Sequence, residues 1–249
     1  MFRDRFRRRL QLTGIHVLFS FVLLCLALSL VYGVWYPDPL QIAFGVTTIY
    51  LMLLSIDLIL GPLLTFLVFK EDKKKLKFDL GVILIIQLSA YFFGLHTLAQ
   101  GRPVWQVFVV DDIELVSLAD LKKSEGYLIN PDFKSSLFMR PQWVSAVYST
   151  DKKVQQQQKE AEMFQGISLA VRPETYQEIS KQQKQITHKL KKIDDLYLFN
   201  PQKTSVDKII HLYPDAQGWL PVKASKLDMV ALFDEQGRPL SIVNLRPWL

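Results

Sequence analysis

Three long apolar runs crowd the first hundred residues, and they restrict what this chain can fold into more than any other feature. The first, Ile15 to Tyr36, is 22 residues long and uncharged. At about 1.5 Å of rise per residue, such a helix crosses the roughly 30 Å hydrocarbon core of a bilayer. The second run, Leu40 to Phe69, is interrupted by Asp57 and the Gly61-Pro62 pair. The third, Leu80 to Leu98, is broken chiefly by Gln87, Ser89 and His96. The pattern predicts an integral membrane protein with transmembrane helices over 15–36, 40–69 and 80–98. A cleavable signal peptide is the rival for the first run. Its apolar stretch is longer than such peptides use and two more runs follow, which favours a retained anchor and also sets aside the weak twin-arginine match at Arg7-Arg8-Arg9-Leu10.

Charge sets the orientation. The tail 1–14 carries five arginines and the loop 70–79 five lysines, whereas the connection Tyr36-Pro37-Asp38-Pro39 has neither. Lys and Arg mark cytoplasmic loops, so both basic segments are expected in the cytoplasm and the Pro-rich turn outside. These two patches account for the whole net charge of +6. The basicity therefore belongs to membrane flanks and argues against nucleic acid as a partner. An odd number of spans delivers residues 102–249 to the far face, which in a bacterium is the periplasm. Cys25, the only cysteine, lies inside the first run, so that domain holds together without a disulfide.

Residues 102–249 are enough for one α+β domain with its own core. Val104 to Val116 is strand-like with an acidic break at Asp111-Asp112, and Ser117 with Asp120 makes a capping pair for a short helix. The stretch 125–141 reads as loop and Trp143 to Tyr148 as a strand. Asp151 opens a Gln-rich helix to about Phe164. From Pro173 to Ile193, Tyr176, Ile179, Gln183, Ile186, Leu190 and Ile193 recur at threes and fours, which predicts one amphipathic helix. Met229 to Asp234 and Leu240 to Leu245 flank Glu235-Gln236-Gly237 as a hairpin.

A search for chemistry is mostly negative. No phosphate-binding glycine loop or nucleophile elbow occurs, the four histidines are scattered, and the acid pairs Asp111-Asp112 and Asp194-Asp195 suit turns better than acid–base couples. The sequence gives no reason to expect an enzyme, a metal site or a cofactor. Asp57 is the exception that needs explaining, since a charge near mid-bilayer costs on the order of 3 kcal/mol. At equal depth on the third run stand Tyr91 and, a turn below, Gln87. Asp57 either bonds one of them to hold the bundle or receives a polar group on another protein's helix; a proton relay ranks last. Pro62 is expected to kink the second helix near Leu58, and Gly61 to admit close helix approach. Together Asp57, Gly61, Pro62, Gln87 and Tyr91 outline a partner groove at membrane depth.

The residues resemble the type IV pilin accessory proteins, the TfpX/TfpZ group. The resemblance is carried by Tyr36-Pro37-Asp38-Pro39-Leu40 and by Asp57-Leu58-Ile59-Leu60-Gly61-Pro62-Leu63-Leu64-Thr65. It continues through Val68-Phe69-Lys70, Leu76-Lys77-Phe78-Asp79-Leu80, Gln87 and Arg102-Pro103-Val104. It closes on Lys226-Leu227-Asp228-Met229-Val230 and Asn244-Leu245-Arg246-Pro247-Trp248. It implies a bacterial inner-membrane protein that acts on a cognate type IV major pilin, supporting its stability, assembly or retraction, alongside other pilus-assembly membrane proteins. Lys226, Asp228, Arg246 and Trp248 are then periplasmic partner-binding or structural residues. Trp248 either closes the last strand as a buried ring or stands out as an anchor. The alternative function is a membrane-anchored immunity or inhibitor protein that binds a toxin or envelope enzyme.

Overall fold

A computed structural model describes residues 2–55, 59, 61–68, 76–122 and 131–248. The chain divides into two compact units, 1–33 with 46–99 and 34–45 with 100–249.

The first unit is helical. Helix α1 covers Phe2–Leu30 and runs on through a π turn at Val31–Trp35. Short α2 (Leu40–Ala43) belongs to the second unit; α3 (Val46–Ser55), α4 (Gly61–Val68) and α5 (Leu76–Gly101) complete the first. Two stretches, Thr13–Trp35 and Phe78–Gly101, are long and apolar enough to cross a membrane, with mean hydropathies of 2.6 and 1.8. Little of either is buried: Ile15, Leu18 and Phe21 on α1 and Ile85, Phe92 and Phe93 on α5 are exposed. A core helix of a soluble protein hides such side chains, since each is worth about 1.5–3 kcal/mol when buried.

The run expected to form one span over 40–69 is divided. Gly45 takes φ +65, a conformation glycine adopts without a Cβ penalty, and this ends α2. Ala43 O accepts the Lys226 and Leu227 N–H groups at 3.0 and 3.2 Å, and Leu40 and Ala43 are buried in the core of the second unit. The apolar character of 40–43 therefore serves a protein core; α3 and α4 carry what remains of the run. The kink expected near Leu58 lies outside the described residues.

The second unit is built on a seven-stranded mixed sheet in the order β4-β3-β1-β2-β5-β6-β7. Its strands are β1 (Pro103–Val109), β2 (Asp112–Ser117), β3 (Gln142–Ala146), β4 (Tyr176–Glu178), β5 (Gly218–Lys223), β6 (Met229–Phe233) and β7 (Pro239–Val243). Hairpins β1–β2, β5–β6 and β6–β7 are antiparallel; β1–β3 and β2–β5 pair in parallel. Side chains alternate between faces along a strand, and the core follows that alternation. Phe108, Ile113, Leu220, Met229, Ala231 and Phe233 meet Leu40 and Ala43 on one face. The other face carries Val104, Trp105, Val107 and Val144 at one end and Trp219, Val230, Leu232 and Val243 at the other. With both faces covered, β1 is buried at every position, which is why six of its seven residues are apolar, Gln106 excepted, and do not alternate with polar ones.

Local signals place several elements. Ser117 Oγ donates to Asp120 Oδ2 at 2.7 Å and accepts from Asp120 N at 3.3 Å, starting α6 (Leu118–Lys122). Asp151 Oδ1 accepts from Lys153 N and Val154 N to cap α7 (Lys152–Gln165), and Gly166 at φ +65 ends it. The hairpin β6–β7 turns at Gly237, φ +75. The amphipathic helix expected over 173–193 does not form as one element. Tyr176 pairs with Ala146 as part of β4, and only α8 (Gln183–Lys189) is α-helical. Lys191 then exchanges backbone hydrogen bonds with Trp219, and α9 (Leu196–Phe199) and α10 (Lys203–Leu212) follow. The stripe still marks buried positions. Tyr176 packs against Trp105 and Phe133, and Ile186 is fully buried in the opposite cluster, so they lie on opposite sides of the sheet, which no single helix allows.

Candidate functional site

Within the helical unit, hydroxyl groups on neighbouring elements reach the backbone of α1. Tyr91 on α5 donates to Leu23 O at 3.0 Å and Tyr50 on α3 to Leu24 O at 3.4 Å. Thr65 on α4 shares a 2.8 Å hydrogen bond with His16 Nδ1. In an apolar medium such bonds matter because water offers no substitute partner. They border a small groove of about 50 Å³ lined by α1, α3 and α5, where His16, Ser20, Tyr50, Gln87 and Tyr91 interrupt an otherwise apolar lining. Polar side chains recur one turn apart on both walls, His16 and Ser20 on α1, Gln87 and Tyr91 on α5. The groove thus sets polar side chains within an apolar lining.

The structure brings together Gly61, Gln87 and Tyr91. Gly61 is buried against Gln87, whose amide occupies the space a Cβ would fill, 1.6 Å from Nε2. Pro62 is the second residue of α4. Asp57 lies outside the described residues. His16, Ser20, Tyr50 and Thr65 are additional lining or bracing residues that sequence reasoning missed. Ser20 follows His16 by one helical turn inside an apolar run, whereas the contacts that Tyr50 and Thr65 make across segments leave no local signal.

In the sheet unit, three of the four singled-out residues are built into the fold. Asp228 Oδ1 accepts from Ala224 N at 2.9 Å, closing the turn between β5 and β6. Lys226 lays its stem over Gly45 and bonds Ala43 through its backbone. Arg246 donates to Asp228 O and Asn244 Oδ1, and its backbone exchanges hydrogen bonds with the Asn200 side chain at 2.8 and 3.0 Å. Burial draws its guanidinium below the usual arginine range. Trp248 is different: it is 39% exposed beyond the last strand, and Leu245 and Pro247 are the buried residues of that tail. The reading of Trp248 as a buried strand closer is thereby corrected.

Another polar group lies on β2 and β5. Asp112 pairs with Lys223 at 2.5 Å, and Glu114 accepts from Ser168 at 2.7 Å. Burial pushes both carboxyls above the ordinary range despite these partners. The Tyr148 hydroxyl donates to Glu162; burial and that carboxylate push it up to about 12. Among the described residues, no three His, Cys, Asp or Glu side chains are grouped to hold a metal ion.

Comparison with known proteins decides the family. The model of the fimbrial assembly protein FimB matches residues 4–45, from the arginine-rich tail through α1 and α2. The fimbrial assembly protein of serogroup E1 from Dichelobacter nodosus is 32% identical over 176 residues, which is 70% of this chain and 68% of that protein. The chain belongs to the fimbrial assembly protein family. The serogroup I fimbrial assembly protein of the same organism is 28% identical over 247 residues and aligns across 94% of both chains. That of serogroups C1 and C2 is 36% identical over 128 residues, half of this chain. No solved structure matches. The resemblance to type IV pilus accessory proteins therefore holds at the level of family, and the role of this fimbrial assembly family member lies in pilus biogenesis.

Proposed function

We propose that this chain is an inner-membrane accessory protein that binds a cognate type IV pilin and supports its stability, assembly or retraction. A polar-lined groove between apolar helices, in a member of the fimbrial assembly family, carries the proposal. A pilin awaiting assembly holds an apolar helix in the bilayer and a folded head outside it. The groove takes that helix, with Gln87 and Tyr91 facing its polar group, because an unpaired polar atom in hydrocarbon costs several kcal/mol. In this reading α1, the 46–69 stretch and α5 all cross the membrane, the basic segments 1–14 and 70–79 are cytoplasmic, and the sheet unit meets the pilin head in the periplasm. Trp248, exposed and of a residue type that dominates interface hot spots, is the contact expected there. The protein acts by binding, without a catalytic step.

The test is co-purification of pilin with the full chain from detergent extracts, for the native protein and for Gln87→Leu. Recovery with the native protein and its loss with Gln87→Leu are expected. Absence of pilin from the native preparation overturns the reading. A reporter active only beyond the inner membrane, fused to residue 249, tests the orientation; its silence at normal expression overturns the topology.

A further inference from the structure

One loop of the sheet unit is fastened to the two points where the apolar helices end. Trp35, the last residue of the Thr13–Trp35 stretch, donates its indole N–H to Leu137 O at 2.6 Å. Arg102, one residue past the Phe78–Gly101 stretch, donates Nη2 to Ser136 O at 3.3 Å. The Arg102 guanidinium also lies 5.8 Å from the Trp35 ring centroid, and both residues are buried. The backbone of 136–137 is thus pinned beside both helix ends. The side chains that follow are not buried: Leu137 is 48% exposed and Phe138 is 74% exposed, while Met139 turns back into the core. Exposed Lys134 and Arg140 flank them. A phenyl ring left in water forgoes burial worth about 1.5–3 kcal/mol. A ring held where two apolar helices leave the hydrocarbon has another apolar phase within reach, and interfacial anchors pair such rings with cations that face the headgroups. Met163, Phe164, Leu198 and Leu212 are as exposed, but they stand on α7, α9 and α10, for which no such tie to the helix ends is seen among the described residues.

We propose that the 134–140 loop is an interfacial lipid anchor: Leu137 and Phe138 enter the boundary between acyl chains and headgroups, and Lys134 and Arg140 lie against anionic headgroups. The proposal rests on the reading that Thr13–Trp35 and Phe78–Gly101 cross a bilayer. The anchor fixes the height of the sheet unit above the membrane independently of any protein partner.

The test uses the full chain with Cys25→Ser and a single new cysteine, Phe138→Cys, Leu212→Cys or Phe92→Cys, labelled with an environment-sensitive fluorophore. Each variant is reconstituted alone into phosphatidylethanolamine/phosphatidylglycerol vesicles containing nitroxide lipids, shallow or deep. The label at 138 is expected to lose most of its emission to shallow nitroxides, the label at 92 to deep ones, and the label at 212 to neither. If 92 is quenched and 138 behaves like 212, the loop proposal falls and the spans stand. If 92 is not quenched, the membrane reading falls and takes the loop with it. If 138 is shielded without quenching, and the shielding fades as protein is diluted in lipid, a second copy covers the loop and the lipid assignment is overturned.

Discussion

Replacing Gly61 with alanine puts a methyl group 1.6 Å from Gln87 Nε2, 2.4 Å from Cδ and 2.7 Å from Oε1. Non-bonded heavy atoms settle near roughly 3.5 Å, so the Gln87 amide must retreat by about 2 Å. It is the far end of a flexible side chain and can swing away without parting α4 from α5. Two effects oppose each other: overpacking costs about 1–3 kcal/mol, while removing a helical glycine returns up to about 1 kcal/mol. The net loss of stability is therefore modest, between nothing and about 2 kcal/mol. The functional effect is larger, because the amide that faces the groove is the group displaced. A double-mutant cycle of Gly61→Ala and Gln87→Ala reads this out through helical circular dichroism during unfolding in mixed micelles. Pilin recovery from detergent extracts is measured on the same four proteins. The double mutant should be more stable than the two single changes predict, by a coupling of about 0.5–3 kcal/mol. Pilin recovery should fall with Gly61→Ala alone. Additive stabilities together with native pilin recovery would refute both the contact and its place in the groove.

Three further outcomes follow from the sheet unit. Val110, at the tip of the β1–β2 hairpin, holds φ +55 in a tight turn closed by Asp111 N to Val109 O, a conformation that penalises a β-branched residue; Val110→Gly should raise the thermal midpoint by an amount equivalent to about 1 kcal/mol. Burial alone would raise the Asp234 carboxyl, but the Arg238 backbone N–H and guanidinium and the Gln236 N–H hold it below the usual range. That contribution is present above the unfolded carboxylate range and disappears as pH falls through it, so Asp234→Asn should cost about 1–2 kcal/mol at neutral pH and progressively less in acid, followed by urea unfolding at several pH values. Trp248→Ala should leave stability within about 0.5 kcal/mol of native while lowering pilin recovery; a large loss of stability would show that the ring serves the fold.

How much was legible in the sequence depends on how local each determinant is. The Ser117–Asp120 pair, the Asp151 cap and the Gly237 turn are closed by residues within a few positions of one another, and the chain reads them directly. The 173–193 stripe has a genuine helical period, yet tertiary pairing with Ala146 and Trp219 overrides it. Strand β5 has Pro221 in its middle, a residue that argues against a strand in the sequence, yet it pairs there with Val230 of β6. In the membrane-type half, Gln87 and Tyr91 could be matched by depth along two runs. His16 and Thr65 could not, since their hydrogen bond joins segments 49 positions apart and leaves no periodic trace.

The 34–45 connector has a consequence for how this protein can be made or cut. Leu40 and Ala43 complete a core otherwise supplied by residues beyond 100, and Ala43 O is the acceptor for amides near the far end of the chain. A fragment beginning at residue 102 would have a hole in its interior and two stranded donors, so the sheet unit is not a cassette that can be cut out at that point. Anyone seeking it in isolation must splice the connector back on, as in a circular permutant.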